Sequence, residues 1–475
     1  MMSGTERPRL TVARSPRPRY TAPMDRRLQE AAKANEGWAL GLLKGFCRIP
    51  SVSAQRRGIR EASDFLVMAF RDLGLRVRRV RCGGNPAVIA ESPPVPGGRS
   101  ILFYNHYDVQ PPDPLDEWSS PPFDPAIRGG RLFARGAADD KGDFVARVAA
   151  VHAYRKAGIP LPVQVKFFVE GEEEIGSPTL ESVARRLSRW LQADLCIWES
   201  ASRSDDGRPH IELGCKGILH GELVCRGAKT DLHSSRGVIV PSPLWRLVWA
   251  LASIKGRDER IAIRGFRDRL RPVTAAERAL AASFRPDAGG AAKRLGIGRF
   301  LLGLSGARLA ERLFFEPAVN LNGLSGGYQG PGSKTVLPRE ARAKFDIRLV
   351  PDLEPAEIAR LLRRHLDRHG FRDVRLEDLH GYPAARTAPD HPFVRLAAEA
   401  GTEAFGRPAL IQPTMAGSGP MHVFARRMPC IGIGVGFGGS RIHAPDESIH
   451  VADLHRGTRH VLGVIERLAR HGRNP

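Results

Sequence analysis

Histidines and carboxylates recur in this chain where apolar runs end. Phe103-Tyr-Asn-His106-Tyr-Asp108-Val109 is followed by Arg135-Gly-Ala-Ala-Asp139-Asp140-Lys141-Gly142 and by Glu170-Gly-Glu172-Glu173-Glu174-Ile-Gly176. Glu199, in Ile197-Trp-Glu-Ser, and His443, in Ile442-His-Ala-Pro-Asp-Glu, extend the set. Imidazole nitrogens and carboxylate oxygens in such numbers suit a pair of hydrolytic metal ions. His106 and Asp108 stand at i and i+2, so an extended backbone aims both to one side. A carboxylate beside a ligating imidazole fixes its tautomer; the structural alternative is a turn pair at a strand end. Asp139 has two oxygens with which to bridge two cations; the alternative is an acidic helix start near Asp143. Among Glu172, Glu173 and Glu174, one carboxylate can ligate while another takes a proton from water. A solvated acidic loop is the alternative, but three acids after a buried strand are unusual in so basic a chain.

The elements that must position these groups alternate. Amphipathic periodicity predicts helices over 26–48 and 59–74, the second stopped at Gly74. Strands are expected at 77–81, 87–91, 100–104, 163–170 and 194–198, and helices at 143–157 and 178–191. Short apolar strands between such helices indicate an α/β unit with a mostly parallel sheet. The pattern changes near 215. Strands at 218–225, 341–349 and 373–376, with helices at 242–255, 274–284 and 354–369, read as a smaller α+β unit. From 383 the first pattern resumes, with helices at 391–405, 419–426 and 451–470 and strands at 409–411 and 430–435. The expected organisation is a basic disordered leader at 1–25 and a catalytic domain in two parts, 26–215 and 383–475. An inserted α+β lid fills 216–382. Residues 256–318, rich in Arg and Ala, carry no functional signal.

A length of 475 residues exceeds one typical core. The hydrophobic fraction of 42% and charged fraction of 26% are ordinary. No apolar run approaches the roughly 18 residues of a membrane span, so no membrane partner is expected. The Arg-rich start lacks an apolar core and does not read as a secretory signal; Met24 is a candidate true start. The formal charge of +22 could mark an anionic partner. An Arg-rich solvated surface is the favoured reading, because no basic cluster is interleaved with aromatics as nucleic-acid binding requires. Cysteines 47, 82, 196, 215, 225 and 430 show no CxxC spacing, which argues against a thiolate zinc site and a disulfide framework. A reducing cytoplasm is expected.

Seven stretches in order carry a family resemblance. They are Asn105-His-Tyr-Asp-Val-Gln-Pro-Pro, Glu117-Trp-Ser-Ser-Pro-Pro-Phe, Arg135-Gly-Ala-Ala-Asp-Asp-Lys-Gly, Glu170-Gly-Glu-Glu-Glu-Ile-Gly-Ser, Asp231-Leu-His-Ser, Gly332-Ser-Lys-Thr-Val-Leu-Pro and Phe345-Asp-Ile-Arg-Leu-Val-Pro. The chain resembles the zinc-dependent metallopeptidases that include carnosinases, aminoacylases, glutamate carboxypeptidases and the desuccinylases of diaminopimelate synthesis. It is most similar to the carnosinase-like dipeptidases. The resemblance implies two Zn²⁺ per subunit, with Mn²⁺ or Co²⁺ also suited to a carboxylate-rich pair. It implies that His106 and Glu199 bind one ion, Glu174 and His443 the other, and that Asp139 bridges them through a turn whose Asp139–Asp140 bond is cis. Glu173 would be the general base, Asp108 the residue orienting His106, and His233 the oxyanion donor, reaching into a partner subunit of a lid-mediated homodimer. Arg348 would bind the substrate carboxylate, with Thr335, His380 and Ser418 as further contacts. The substrate would be a small peptide or an N-acyl amino acid. One departure stands out: carnosinase-like dipeptidases usually carry Asp where this chain has Glu199, a residue more typical of the acylase and carboxypeptidase branches. An N-acyl-amino-acid deacylase therefore remains open beside a dipeptidase, and a non-catalytic dimeric binding protein is the alternative outside enzymes.

Overall fold

The computed structural model describes residues 24–199, 201–284 and 287–471. The expected leader lies outside them apart from Met24 and Asp25, and Asp25 caps the first helix by accepting from the Arg27 amide at 2.8 Å. The single helix expected over 26–48 is two, Arg26–Ala34 and Glu36–Cys47, because Asn35 ends one and begins the other.

An eight-stranded sheet forms the larger body. Its centre is parallel: Gln164–Glu170, Ser100–His106, Leu195–Trp198 and Cys430–Gly432 lie side by side in that order. The strands Arg76–Val80 and Ala87–Glu91 join one edge in antiparallel pairing. On the other side His210–Glu212 runs antiparallel to Cys430–Gly432. The sheet is thus mixed with a parallel core, a refinement of the expected mostly parallel sheet. The sequence reading missed His210–Glu212 because it is short and ends on an acid.

The helix Gly142–Ala157 is buried over almost its whole length between the sheet and Val451–Arg470. Its Ala and Val residues allow that close packing. Burial all round removes the amphipathic signal that marks surface helices. Asp143 does not cap it; its Oδ1 accepts from the Val435 amide at 2.7 Å and ties the helix to the strand end at 430–432.

A six-stranded sheet forms the second body, with Ala318–Gly326, Glu340–Leu349, Gly214–Arg226 and Arg375–Tyr382 side by side. Leu219, Leu223, Phe345 and Ile347 point to one face and pack under the helices Pro243–Ile254 and Pro355–Arg368. Asp346, Arg348, His220 and His380 share the other face, as the period of two requires. The long strand Gly214–Arg226 also pairs with Ala385–Arg386 and Met415–Ser418, so it crosses from one body to the other.

The Arg- and Ala-rich segment folds into helices Ala275–Ser283, Ala288–Arg294 and Gly306–Phe315. They straddle that crossing. Glu277 accepts from Arg271 and from Arg386 Nη1, each at 2.6 Å, and Lys216 donates to the Glu316 carbonyl at 2.7 Å. Phe284 meets His210 of the larger sheet.

Candidate metal centre

The C-terminal ends of the central parallel strands converge on one spot, the usual location of ligand sites in such sheets. His106 ends its strand and is 1% exposed. Its Nε2 lies 2.9 Å from Asp139 Oδ1 and 4.0 Å from Glu199 Oε2. From the opposite side His443 Nε2 lies 3.0 Å from Asp139 Oδ2 and 3.2 Å from Glu174 Oε2. Asp139 therefore stands between both imidazoles, one oxygen to each. The groups His106/Asp139/Glu174 and His106/Asp140/Glu199 each bring their ligand atoms within 4.8 Å of one another. The Asp139–Asp140 bond is cis.

The donors fit a pair of divalent cations. Glu199 Oε2 is buried without a hydrogen-bond partner among the described residues. Burial raises the carboxyls of Glu199 and Glu173 well above the ordinary range, and neighbouring acids push the same way. Burial opposes ionisation of Asp139 too, but bonds from His106 and His443 overcome it and hold its carboxyl below the usual range. The same bonds, from Asp139 first and then Glu174, raise His443 to about 10. So dense a set of carboxylates demands positive charge, which bound cations would supply.

Asp108 departs from its expected use. Its backbone carbonyl, not its carboxylate, makes the close contact with His106 Nδ1, at 3.0 Å against 3.6 Å. The carboxylate accepts instead from the amides of Glu173 at 3.2 Å and Glu174 at 3.1 Å. One residue thus sets both the imidazole and the glutamate turn. Glu173 is half-buried at the rim, and Gln110 Nε2 donates to Glu174 Oε2 at 2.9 Å.

The remaining predicted residues fall in separate places. Arg348 donates to Ser418 Oγ at 2.9 Å and lies 3.3 Å from Asp346 Oδ2. An ion pair with Asp346 is thus present, together with the contact to Ser418. His380 is exposed and its ring lies 5.4 Å from that of His220. His233 and Thr335 are exposed on one ribbon, where Leu232–His233 pairs with Val336–Leu337, and His233 bonds Ser235. A cleft of about 600 Å³ opens between the two bodies, lined in part by Ser177, Glu181, His220, His380, Tyr382 and His422.

Sequence reading missed several supporting groups. Asn105 Nδ2 donates to Asp140 Oδ2 at 2.6 Å, and the His106 amide donates to the same oxygen at 3.1 Å. Arg147, 1% exposed, donates to Asn105 Oδ1 at 2.7 Å and to the Trp198 carbonyl at 2.6 Å. It holds the strand ends of His106 and Glu199 together. An arginine among the small apolar residues of 143–157 was the available signal.

Residues 102–467 match the model of peptidase family M20/M25/M40. The chain is 30% identical over 344 residues to the Beta-Ala-His dipeptidase of Rattus norvegicus, covering 68% of this chain and 70% of that one. It is 28% identical over 365 residues to the Cys-Gly metallodipeptidase dug1 of Schizosaccharomyces pombe, covering 72% and 76%. The M20 family metallo-carboxypeptidase Sso-CP2 from Sulfolobus solfataricus superposes with a TM-score of 0.84 at 34% identity, over 94% of this chain and 100% of that one.

Proposed function

The chain belongs to peptidase family M20/M25/M40, and from that premise we propose that it hydrolyses the amide bond next to a free carboxylate in dipeptides and related small substrates. The gathering of His106, Glu174 and His443 around Asp139, with Glu199 beside His106, carries this reading. His106 and Glu199 would hold one divalent cation and Glu174 and His443 the other, with Asp139 between them. Zn²⁺ is the first choice, Mn²⁺ or Co²⁺ the alternatives. Such cations, when bound, lower the pKa of water and polarise a carbonyl.

The protein's own groups do the rest. Glu173, with its proton affinity raised by burial, takes a proton from the attacking water and passes it to the leaving amine. Arg348, steadied by Asp346 and Ser418, grips the substrate carboxylate through its planar fork. Thr335, His380 and Ser418 complete the contacts. His233 donates to the developing oxyanion. Its exposure suits a role in the site of a second copy, so the reading includes a homodimer through a lid at 216–382, inserted between catalytic segments 26–215 and 383–475. Trp245, Trp249, Leu321 and Leu324 are exposed apolar residues of that lid and suit the contact. The free state of all six cysteines supports a reducing, cytoplasmic setting.

A carboxypeptidase or N-acyl-amino-acid deacylase is the second reading, favoured by the similarity to Sso-CP2. It shares the carboxylate grip and differs in not needing a free substrate amine. Turnover by metal-loaded protein on free dipeptides, longer peptides, and N-acetyl and N-succinyl amino acids separates the two. Cleavage confined to free dipeptides supports the first; cleavage of blocked or longer substrates supports the second. No turnover of any of them that Glu173→Ala abolishes would sink both.

A further inference from the structure

Glu447 is 1% exposed and stands just beyond His443 on the same loop. Both its oxygens are engaged. Oε2 accepts from Arg135 Nη1 at 2.7 Å and from the Gly136 amide at 2.9 Å. Oε1 accepts from the amides of Ala138 at 2.8 Å and Asp139 at 3.1 Å. Its backbone carbonyl accepts from the Ala134 amide at 3.0 Å, and the strand that follows, Ser448–His450, pairs with Arg131–Phe133. One carboxylate therefore clasps the whole turn that presents Asp139, while its own chain presents His443.

The His443 loop needs such a clasp. Arg441, His443 and Asp446 have φ of 54°, 63° and 60°, backbone that non-glycine residues seldom adopt. Such backbone persists where its surroundings over-determine it. Asp446 fixes one point of the loop by accepting from the Ser119 amide at 2.9 Å and its hydroxyl at 2.6 Å. Glu447 fixes the next. Arg135 meets only Oε2. The other oxygen here binds the two amides that lead into Asp139, where a shift would move a ligand atom rather than a surface.

We propose that Glu447 is a positioning residue for the metal pair: it locks the loop carrying His443 onto the turn carrying Asp139, so that both donors are in place before either ion arrives. This rests on the cluster being a two-metal site. Partners that hold ligands in this way typically govern metal affinity about 10–100-fold.

The test uses the full chain with Glu447→Gln, which keeps the shape and removes the charge and one acceptor, and Glu447→Asp, which keeps the charge on a shorter arm. Zn²⁺ affinity and stoichiometry come from calorimetry, ligand geometry from the visible spectrum of the Co²⁺ form, and kcat and KM from the best substrate. Tyr154→Phe, which removes a bond to Glu466, controls for simple destabilisation. The expected result is a fall of about 10–100-fold in affinity for at least one ion in Glu447→Gln. An altered Co²⁺ spectrum, a lower kcat with KM within about two-fold, and partial recovery in Glu447→Asp should accompany it. A folded Glu447→Gln protein that binds two ions with wild-type affinity and spectrum overturns the proposal even if its melting temperature drops. Wild-type protein that binds fewer than two ions removes the two-metal reading, and the proposal with it. If neither variant folds, Arg135→Lys, which weakens the same clasp from the other side, must lower ion affinity for the proposal to stand.

Discussion

Asp139 is the residue on which the site turns, because each of its oxygens faces a different imidazole. Glu173 sits beside this group without joining either cluster of ligand atoms. That division predicts separable losses. Glu173→Gln should lower kcat by about 10²–10⁴ while the protein still binds two ions, as metal analysis of the purified variant would show. Loss of an ion together with activity would make Glu173 a ligand instead. If Arg348 grips the substrate carboxylate as proposed, Arg348→Ala should act on substrate affinity, since its fork would contact only the unreacting end. The expected effect is a rise in KM, of the order of the about 1.5–3 kcal/mol carried by a charged hydrogen bond, with kcat much less affected. Steady-state kinetics decides this, and an unchanged KM would leave Arg348 as no more than the partner of Asp346.

Individual elements carry their own consequences. The segment around Ala275–Ser283 braces the crossing strand through Glu277, whose side chain is 4% exposed and shared by Arg271 and Arg386. Glu277→Ala leaves the largely buried Arg386 guanidinium, and the exposed one of Arg271, without their carboxylate. It should cost about 3 kcal/mol, read from urea unfolding, and more than Arg386→Ala, which leaves Glu277 its bond to Arg271. Helix Val451–Arg470 packs on Pro392–Phe405 through His460, whose Nε2 lies 2.9 Å from the Ala397 carbonyl. Burial lowers this imidazole to about 4, whereas the unfolded chain takes up its proton near the usual 6.5. Unfolding thus binds a proton between those values, and stability falls as the pH drops through that window. Thermal melts from pH 7 to pH 4 should show the loss, and His460→Gln should flatten it.

At the scale of the whole molecule, the proposed function divides the work between the two bodies: one would hold the metal ions, and the other carries Arg348, His380 and His233. If copies meet through the second body, the pair Trp249→Glu and Leu324→Glu should shift sedimentation from dimer to monomer. It should also depress turnover, because His233 would lose its neighbour. A wild-type monomer with full activity would exclude that assembly. Chelation should lower the melting temperature reversibly, since ions bound only by the folded state stabilise it by mass action. The charge of +22 assigns no partner, and heparin retention that vanished in modest salt would mark nonspecific attraction.

Chemistry was legible in the sequence wherever it sits at the end of a strand. His106, Glu199 and the glutamates 172–174 follow apolar runs that a parallel sheet must place side by side, so residue type and position in the run were enough to nominate them as groups; only the family resemblance singled out Glu174 as the ligand and Glu173 as the base. Asp139 and His443 stood out by type within glycine- and proline-marked turns. The helix 143–157 was legible as well, but the bond from the Val435 amide to Asp143 was not. What only the tertiary structure decided are the contacts closed across long loops. Glu447 reaches the Asp139 amide over a separation of 308 residues, and Arg147 reaches the Trp198 carbonyl over 51. The redirected carboxylate of Asp108 and the brace at 256–318 belong to the same class. Strand and helix periodicity reports the burial of faces, which is local in the chain. A carboxylate that caps the amides of a distant turn leaves no periodic trace, because its partner is backbone and any sequence supplies it.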